Sequence, residues 1–464
     1  MRKHILLRGM LVILSIAVAT PLSAAESSTN KAEESIPLVR VIWQDREDKA
    51  VHWGQFEQTG SQVTFQNQNT ILGFPELDTE RNELVQMDRL GRVVLVGVRD
   101  DDDGNYQSGW VALDLGVRMH SHGDHQDCIY REPPFVLSSV IDQAQGNPAH
   151  LYTYEGNFYL ANDKRNGFTE LSPLHLLRKD DQQHGTFYQG GAGHITLAAV
   201  EGKVAYSTWL SYDEENAGRI DVSDLSKPGD VSIAYSFRLP FSGLHGATAN
   251  SGKVFFAPSD GVYYVDADVN LKQSAETVEF KHLSLGQDAE NNRPYRTGAF
   301  ATHRNWVLCT TGKQDQAALC LIDAAAEEPS VIKLKIDTPD GLTLTTPATV
   351  VTAAGKRYAF LFQDRKTGDK QEKLVVVDLD PNGDRDLSDA TVVKQLKVGA
   401  SQIEGHYGHH EIDFDADGNW GVVSNPGTGQ LQLLSLSDLE FKGTYEVGGM
   451  PTKVLCIGGK ETRH

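Results

Sequence analysis

The sequence predicts an all-β protein built as a single β-propeller, with eight blades favoured and seven as the alternative, closed by pairing of its N- and C-terminal strands. Three observations carry this expectation. Short β-rich runs separated by Gly, Asn and Asp turns fill the chain, with hardly any helical 3.6-residue apolar period. One strand-turn-strand unit keeps returning, each copy too small to bury its own face alone. The last strand-like stretch, "MPTKVLCIGG" (450–459), reads as the first strand of a copy whose remainder, "VRVIWQD" and "AVHWGQFE", stands near the N-terminus. Closure of that kind hides sheet edges.

The unit is clearest from His194, where "HITLAAVEGKVAYSTWLSYDEENAGRIDVSDL" runs strand, Glu-Gly turn, strand, polar loop, strand. Further copies start at Leu84, His150, His245, Ala299, Ala348 and His410, at spacings of roughly 40 to 65 residues. Seven copies and the split terminal one make eight. A pair of β-sandwiches is the other architecture, but it gives no reason for the recurrence. The propeller is expected to occupy residues 36–460, preceded by a disordered linker at 26–35, "ESSTNKAEES".

Residues 1–25 read as a cleavable secretory signal: Arg2, Lys3 and Arg8, an apolar run of roughly 11 residues, then small residues around Ala24 and Ala25. No other stretch has the apolar length of a membrane span, so no membrane insertion is expected, and a bacterial periplasm is the expected location. The whole chain carries −20, and residues 1–25 hold three basic and no acidic side chains, so the remainder carries −23. Such a charge excludes nucleic acid as a partner and favours cations. The four cysteines contain no CxxC; Cys309 with Cys320, and Cys128 with Cys456 if the fold joins them, are candidate disulfides or buried thiols.

The chemistry lies in the histidines. In a propeller the first strand of each blade borders the axis, so equivalent first-strand positions converge there. His194 ("GGAGH") and His245 ("GLHG") open successive copies beside glycine, and His406, His409 and His410 ("EGHYGHHE") stand at the same junction of a later one. A neutral imidazole offers one lone pair to zinc, copper or nickel while a carboxylate or carbonyl orients its other nitrogen. His194, His245, His406 and His409 are therefore candidate ligands, with Glu404, Glu411 and Asp413 as candidate orienting groups. A second set, "RMHSHGDHQDC" (118–128), follows the third strand of its copy. Its His120, His122, Asp124, His125 and Asp127 suit a tetrahedral ion if Gly123 bends the chain. His184 is a further candidate at the side of the channel. The acidic loops 99–107 and 380–386 lack full calcium-loop spacing and read as solvated turns. No GxSxG, HExxH or phosphate-binding loop occurs.

The segment "GLHGATANSGKVFFAPSDGVYYVD", the HSHGDH loop, the GxGH element at 191–194 and "GHHEIDFDADGNWGVVSNPGTGQL" resemble the AztD family of periplasmic zinc metallochaperones. The resemblance covers nearly all of the chain after the signal. It implies a β-propeller that binds Zn2+ and hands it directly to the zinc-specific solute-binding protein of an ABC transporter; a monomer without catalytic turnover is expected. It also implies zinc binding by the loop histidines 120, 122 and 125 and by histidines at the axis. Family members often carry cysteines around the GLHG element, where this chain has Phe241, Ser242 and Ala257, so no disulfide or ligand role transfers there. The residues leave two other readings open: a metal-dependent propeller hydrolase or dehydrogenase, and an interaction scaffold whose histidines are structural.

Overall fold

Among the described residues, eight antiparallel sheets of four or five strands follow one another between Ile36 and Ile457 in the computed structural model. It describes residues 34–100, 107–122, 126–179 and 184–462. The signal at 1–25 and most of the linker at 26–35 lie outside the described residues. So do Asp124, His125 and the centre of the acidic loop 99–107.

Blade 1 joins the strands Ile36–Asp45, Ala50–Thr59 and Gln62–Thr70 to Pro451–Ile457, which is its innermost strand. Arg40, Val41, Ile42 and Trp43 face Ile457, Cys456, Leu455 and Val454 in antiparallel register, as the split terminal copy predicts. Asp45 Oδ1 accepts from the Met450 amide, and the Arg46 amide donates to Met450 O, each at 3.0 Å, which pins the seam. The innermost strands of blades 2 to 5 are Asn82–Leu90, Pro148–Tyr154, Leu197–Val200 and Ala247–Asn250. Blade 6 begins with Ala301–His303 and Trp306–Thr311. In blade 7 the innermost strand is broken into Leu342–Leu344 and Ala348–Val351, both paired to Arg357–Arg365. Pro347 sits in the break, where it has no N–H to give a ladder. Blade 8 starts with Glu411–Phe414.

Burial explains the strand sequences. Middle strands are covered on both faces by neighbouring blades, so Val204–Thr208 is buried throughout, whereas the outermost Thr391–Lys397 and Glu440–Glu446 alternate exposed and half-buried. The core is a ring of eight apolar clusters, each spanning two adjacent blades. The cluster of Val41, Trp43 and Phe56 with Val422 and Leu433 closes blade 1 on blade 8. Tight turns suit the meander: at Ser251-Gly252 both residues have positive φ (50° and 74°), the pattern of a two-residue hairpin turn. All four cysteines are free and buried, with Cys309 directly opposite Cys320.

In each meander the first-to-second and third-to-fourth connections lie at one end, here called distal. Blade-to-blade and second-to-third connections lie at the other, proximal end. Outside the blades, a hairpin of Val117–Ser121 and Gln126–Tyr130 leaves the third-to-fourth connection of blade 2. It rests against the chain just past the innermost strand of blade 1: the Gly459 amide donates to Cys128 Sγ at 3.0 Å and Tyr130 Oη donates to Gly459 O at 2.8 Å. Both anchors are distal.

One buried carboxyl makes a test of pH dependence. Burial pushes Asp415 up to about 7, only partly offset by the Trp420 and Asn419 amides that donate to its Oδ1. Its Oδ2 is buried without a partner. Between about pH 4 and pH 7 the folded chain holds this proton and the unfolded chain does not, so stability falls as pH rises through that window. Asp415→Asn is expected to remove most of that slope and to gain about 2 to 4 kcal/mol at pH 8. Urea melts at pH 5 and pH 8 check it; a slope equal to that of the wild type contradicts it.

Candidate metal centre

At the proximal end four imidazoles converge: His150, on the first strand of blade 3, and His194, His245 and His406, on the connections leading into blades 4, 5 and 8. Ring centroids of His194 and His245 are 4.9 Å apart, those of His245 and His406 5.3 Å, and those of His194 and His406 5.8 Å. One ring nitrogen of each of these three lies within 4.8 Å of the other two. Two ligands on one tetrahedral zinc stand about 3.3 Å apart at Zn–N distances of about 2.0 to 2.1 Å, so modest side-chain rotation closes the set.

Backbone turns hold the rings there. Gly193, at φ +82°, leads into His194, and a Cβ on it would meet Leu210 O at 2.6 Å. His406 occupies the tip of a small hairpin in which the Glu404 and Tyr407 amides each donate to the other's carbonyl at 3.0 Å. Gly408 closes that hairpin at φ +76°, with Gln402 O where a Cβ would stand. Arg46 latches it from blade 1, donating to Glu404 Oε2 at 2.9 Å and lying 4.7 Å from the Tyr407 ring centroid.

The second nitrogens are committed in the way a metal site requires. Asp163 Oδ2 lies 3.4 Å from His194 Nδ1, and its Oδ1 accepts from the Ile195 amide at 3.0 Å. Gly298 O lies 3.3 Å from His245 Nδ1. Both contacts leave Nε2 as the acceptor nitrogen. His150 is set differently. Gln86 Oε1 accepts from the Leu151 amide at 2.8 Å, which turns the Gln86 NH2 group toward His150 Nδ1 at 3.4 Å. His150 then carries its proton on Nε2 and donates to His194 Nε2 at 2.8 Å. That spacing is tighter than two ligands on one ion, so His150 caps the ready lone pair of His194.

Burial and mutual repulsion disfavour charge on His150, His245 and His406. Burial, then the neighbouring imidazoles, hold His150 well below the usual histidine value. His245 is lowered by burial and by His194, and His406 by burial and by His245 and His194. Neutral rings with inward lone pairs are the protonation state a divalent cation needs.

His409 stands beside this set. Its Nδ1 is 2.8 Å from Asp364 Oδ2, while His410, wholly buried and stacked on Phe362, is 2.7 Å from Asp364 Oδ1. Burial alone would raise Asp364, but hydrogen bonds from His409 and His410 hold it below the usual carboxylate value. Asp364, Glu372 and His410 also lie close together, yet Glu372 is occupied by Ser401 and the Arg365 amide.

Of the axial candidates, His194, His245 and His406 are brought together while His409 stands beside them on Asp364, and His150 joins the cluster; His150 heads its own repeat copy just as His194 and His245 do. The orienting groups are others than expected. Glu404 pairs with Arg46, Glu411 with Lys453, and Asp413 accepts from the Cys456 amide, while Asp163 and Asp364 orient the histidines. His120 and His122 sit on the exposed distal hairpin, His122 Nε2 2.8 Å from Asp127 Oδ2. His184 lies on the third-to-fourth connection of blade 3 and is distal too, so neither it nor the hairpin joins the axial set at the proximal end.

Asp163→Asn is expected to weaken zinc binding about 10- to 100-fold, the usual effect of losing a group that orients a ligand. A competition titration against a chromophoric chelator measures it, and unchanged affinity contradicts the role given to Asp163.

No protein-family model matches the chain. Among solved structures it is similar to AztD from Citrobacter koseri, with a TM-score of 0.58 and 16% identity over 92% of this chain and 100% of that one. Apo AztD from the same organism aligns with a TM-score of 0.58 and 15% identity over 93% of this chain and the whole of the other. Among the described residues no helix is long and apolar enough to cross a membrane. The chain shares the eight-bladed propeller fold of AztD across nearly its whole length.

Proposed function

We propose that the chain is a periplasmic zinc carrier that binds Zn2+ as cargo through His194, His245 and His406 and passes it directly to the solute-binding protein of a zinc ABC transporter. The observation that carries this reading is the convergence of three carbonyl- or carboxylate-oriented or freely displayed imidazoles within 4.8 Å at the proximal mouth. The likeness in fold to AztD and the resemblance of the histidine motifs to that family support it.

The arrangement suits release as well as binding. Three neutral imidazoles leave a fourth zinc position for an incoming ligand. His406 is exposed on its glycine-hinged hairpin. His409 stands within electrostatic reach of it, with Nδ1 held by Asp364 and Nε2 free to take over. An acceptor can then replace protein ligands one at a time, avoiding slow dissociation into water. The metal is carried and not used for turnover, and the negative charge of the chain raises the local cation concentration.

Mixing zinc-loaded protein with its metal-free solute-binding partner tests this. The transfer rate is expected to rise with partner concentration and to exceed the rate of loss to a chelator; a rate independent of the partner contradicts direct transfer. Replacing His120, His122 and His125 together is expected to leave the axial affinity within about threefold, because the hairpin is at the other end.

A further inference from the structure

At the distal end, the turn between the first two strands of blade 6 faces the third-to-fourth connection of blade 7. Between them lies a cavity of about 280 Å³ lined by His303, Arg304, Trp306, Arg357, Arg385 and Leu387. Three guanidinium groups thus share one small concavity in a chain of net charge −20. Arg357 is paired with Asp380, whereas among the described residues neither Arg304 nor Arg385 is in an ion pair. The crowding disfavours charge here. Arg357 is lowered first by burial and then by Arg304 and Arg385, and His303 is pushed down to about 4 by burial and then by Arg304 and Arg357.

The walls are built of buried groups. His303 and Trp306 are 6% and 5% exposed, and Leu387 is buried beside them. Three buried nitrogens here have no partner: His303 Nε2, Trp306 Nε1 and Arg357 Nε. The one lining amide, Asn305, is spent on Asp323 Oδ1 at 2.6 Å. A concavity lined by donors and cations, of which only Arg357 is paired to a carboxylate among the described residues, gains free energy when an anion neutralises it. Guanidinium forks match the oxygens of a phosphate-like group two at a time.

We propose that this pocket binds a multiply charged tetrahedral oxyanion of the phosphate class, free or as the terminal group of a small phosphate ester, held by Arg304, Arg357 and Arg385 against Trp306. The pocket is at the opposite end from the histidine cluster, and it does not depend on zinc binding.

Calorimetric titration of the metal-free full chain with inorganic phosphate, and separately with glycerol phosphate, tests it. Saturable one-site binding is expected for at least one probe. Tighter binding of glycerol phosphate identifies an ester group, and tighter binding of inorganic phosphate identifies the free ion. The double substitution Arg304→Gln, Arg385→Gln, at two exposed positions, is expected to weaken binding at least about tenfold, the loss of charge-assisted hydrogen bonds. His194→Ala is expected to leave it unchanged. No saturable binding of either probe up to about 10 mM, or equal affinity in the double-arginine variant, overturns the proposal.

Discussion

The double variant His194→Ala, His245→Ala is expected to lose tight zinc binding altogether. Protein sites that hold zinc with about 10 to 16 kcal/mol divide that free energy among three or four ligands, so each is worth about 3 to 4 kcal/mol, or 100- to 1,000-fold in affinity. Losing two of the three axial rings leaves His406 alone on its exposed hairpin, with His150 protonated on Nε2 and no longer capping a lone pair. Competition titration should show affinity lower by at least about 10,000-fold. The fold should persist, because neither ring belongs to the apolar clusters between blades. A variant that still binds zinc within tenfold of the wild type contradicts the axial site.

Removing residues 450–464 is expected to unfold the propeller. The deleted strand supplies buried Met450, Val454, Cys456 and Ile457, whose burial is worth about 6 to 12 kcal/mol, comparable with the roughly 5 to 15 kcal/mol that stabilises a whole domain. It also strips the ladder partner from Arg40–Trp43 and opens the seam between blades 8 and 1. Thermal melts and size-exclusion chromatography check this; a monomer with the melting temperature of the full chain contradicts closure by the terminal strand.

The repeat was readable because every blade needs the same things of its sequence: an apolar pair of middle strands, a tight turn, and a short first strand at the axis. That regularity placed His194, His245 and His406 at one junction, and the structure brings them together. His150 heads its own copy and obeys the same rule, although it lies on the first strand itself and not on the connection before it. The orienting carboxylates were not legible, because they come from a neighbouring blade. Asp163 follows the second strand of blade 3 and serves His194 ahead of blade 4; Asp364 lies on the second strand of blade 7 and serves His409 and His410 ahead of blade 8. Sequence proximity pointed instead to Glu404, Glu411 and Asp413, which turn and strand geometry send to Arg46, Lys453 and the Cys456 amide. The HSHGDH stretch follows a third strand, as its place in the copy predicts, but leads to the fourth strand of the same blade and not to the next blade. In an antiparallel meander that position is distal, which separates it from the axial histidines. The arginine pocket left no trace in the sequence, since Arg304, Arg357 and Arg385 meet only across two blades.

Anomalous diffraction at the zinc edge, from crystals of protein loaded with one equivalent of zinc, tests the central claim most directly. The account predicts one strong peak bonded to ring nitrogens of His194, His245 and His406, with His150 turned away from His194. A principal peak on the distal hairpin, at the blade 1 group of Asp45, Asp48 and His52, whose side-chain ligand atoms also lie within 4.8 Å of one another, or on a cysteine sulfur would contradict it.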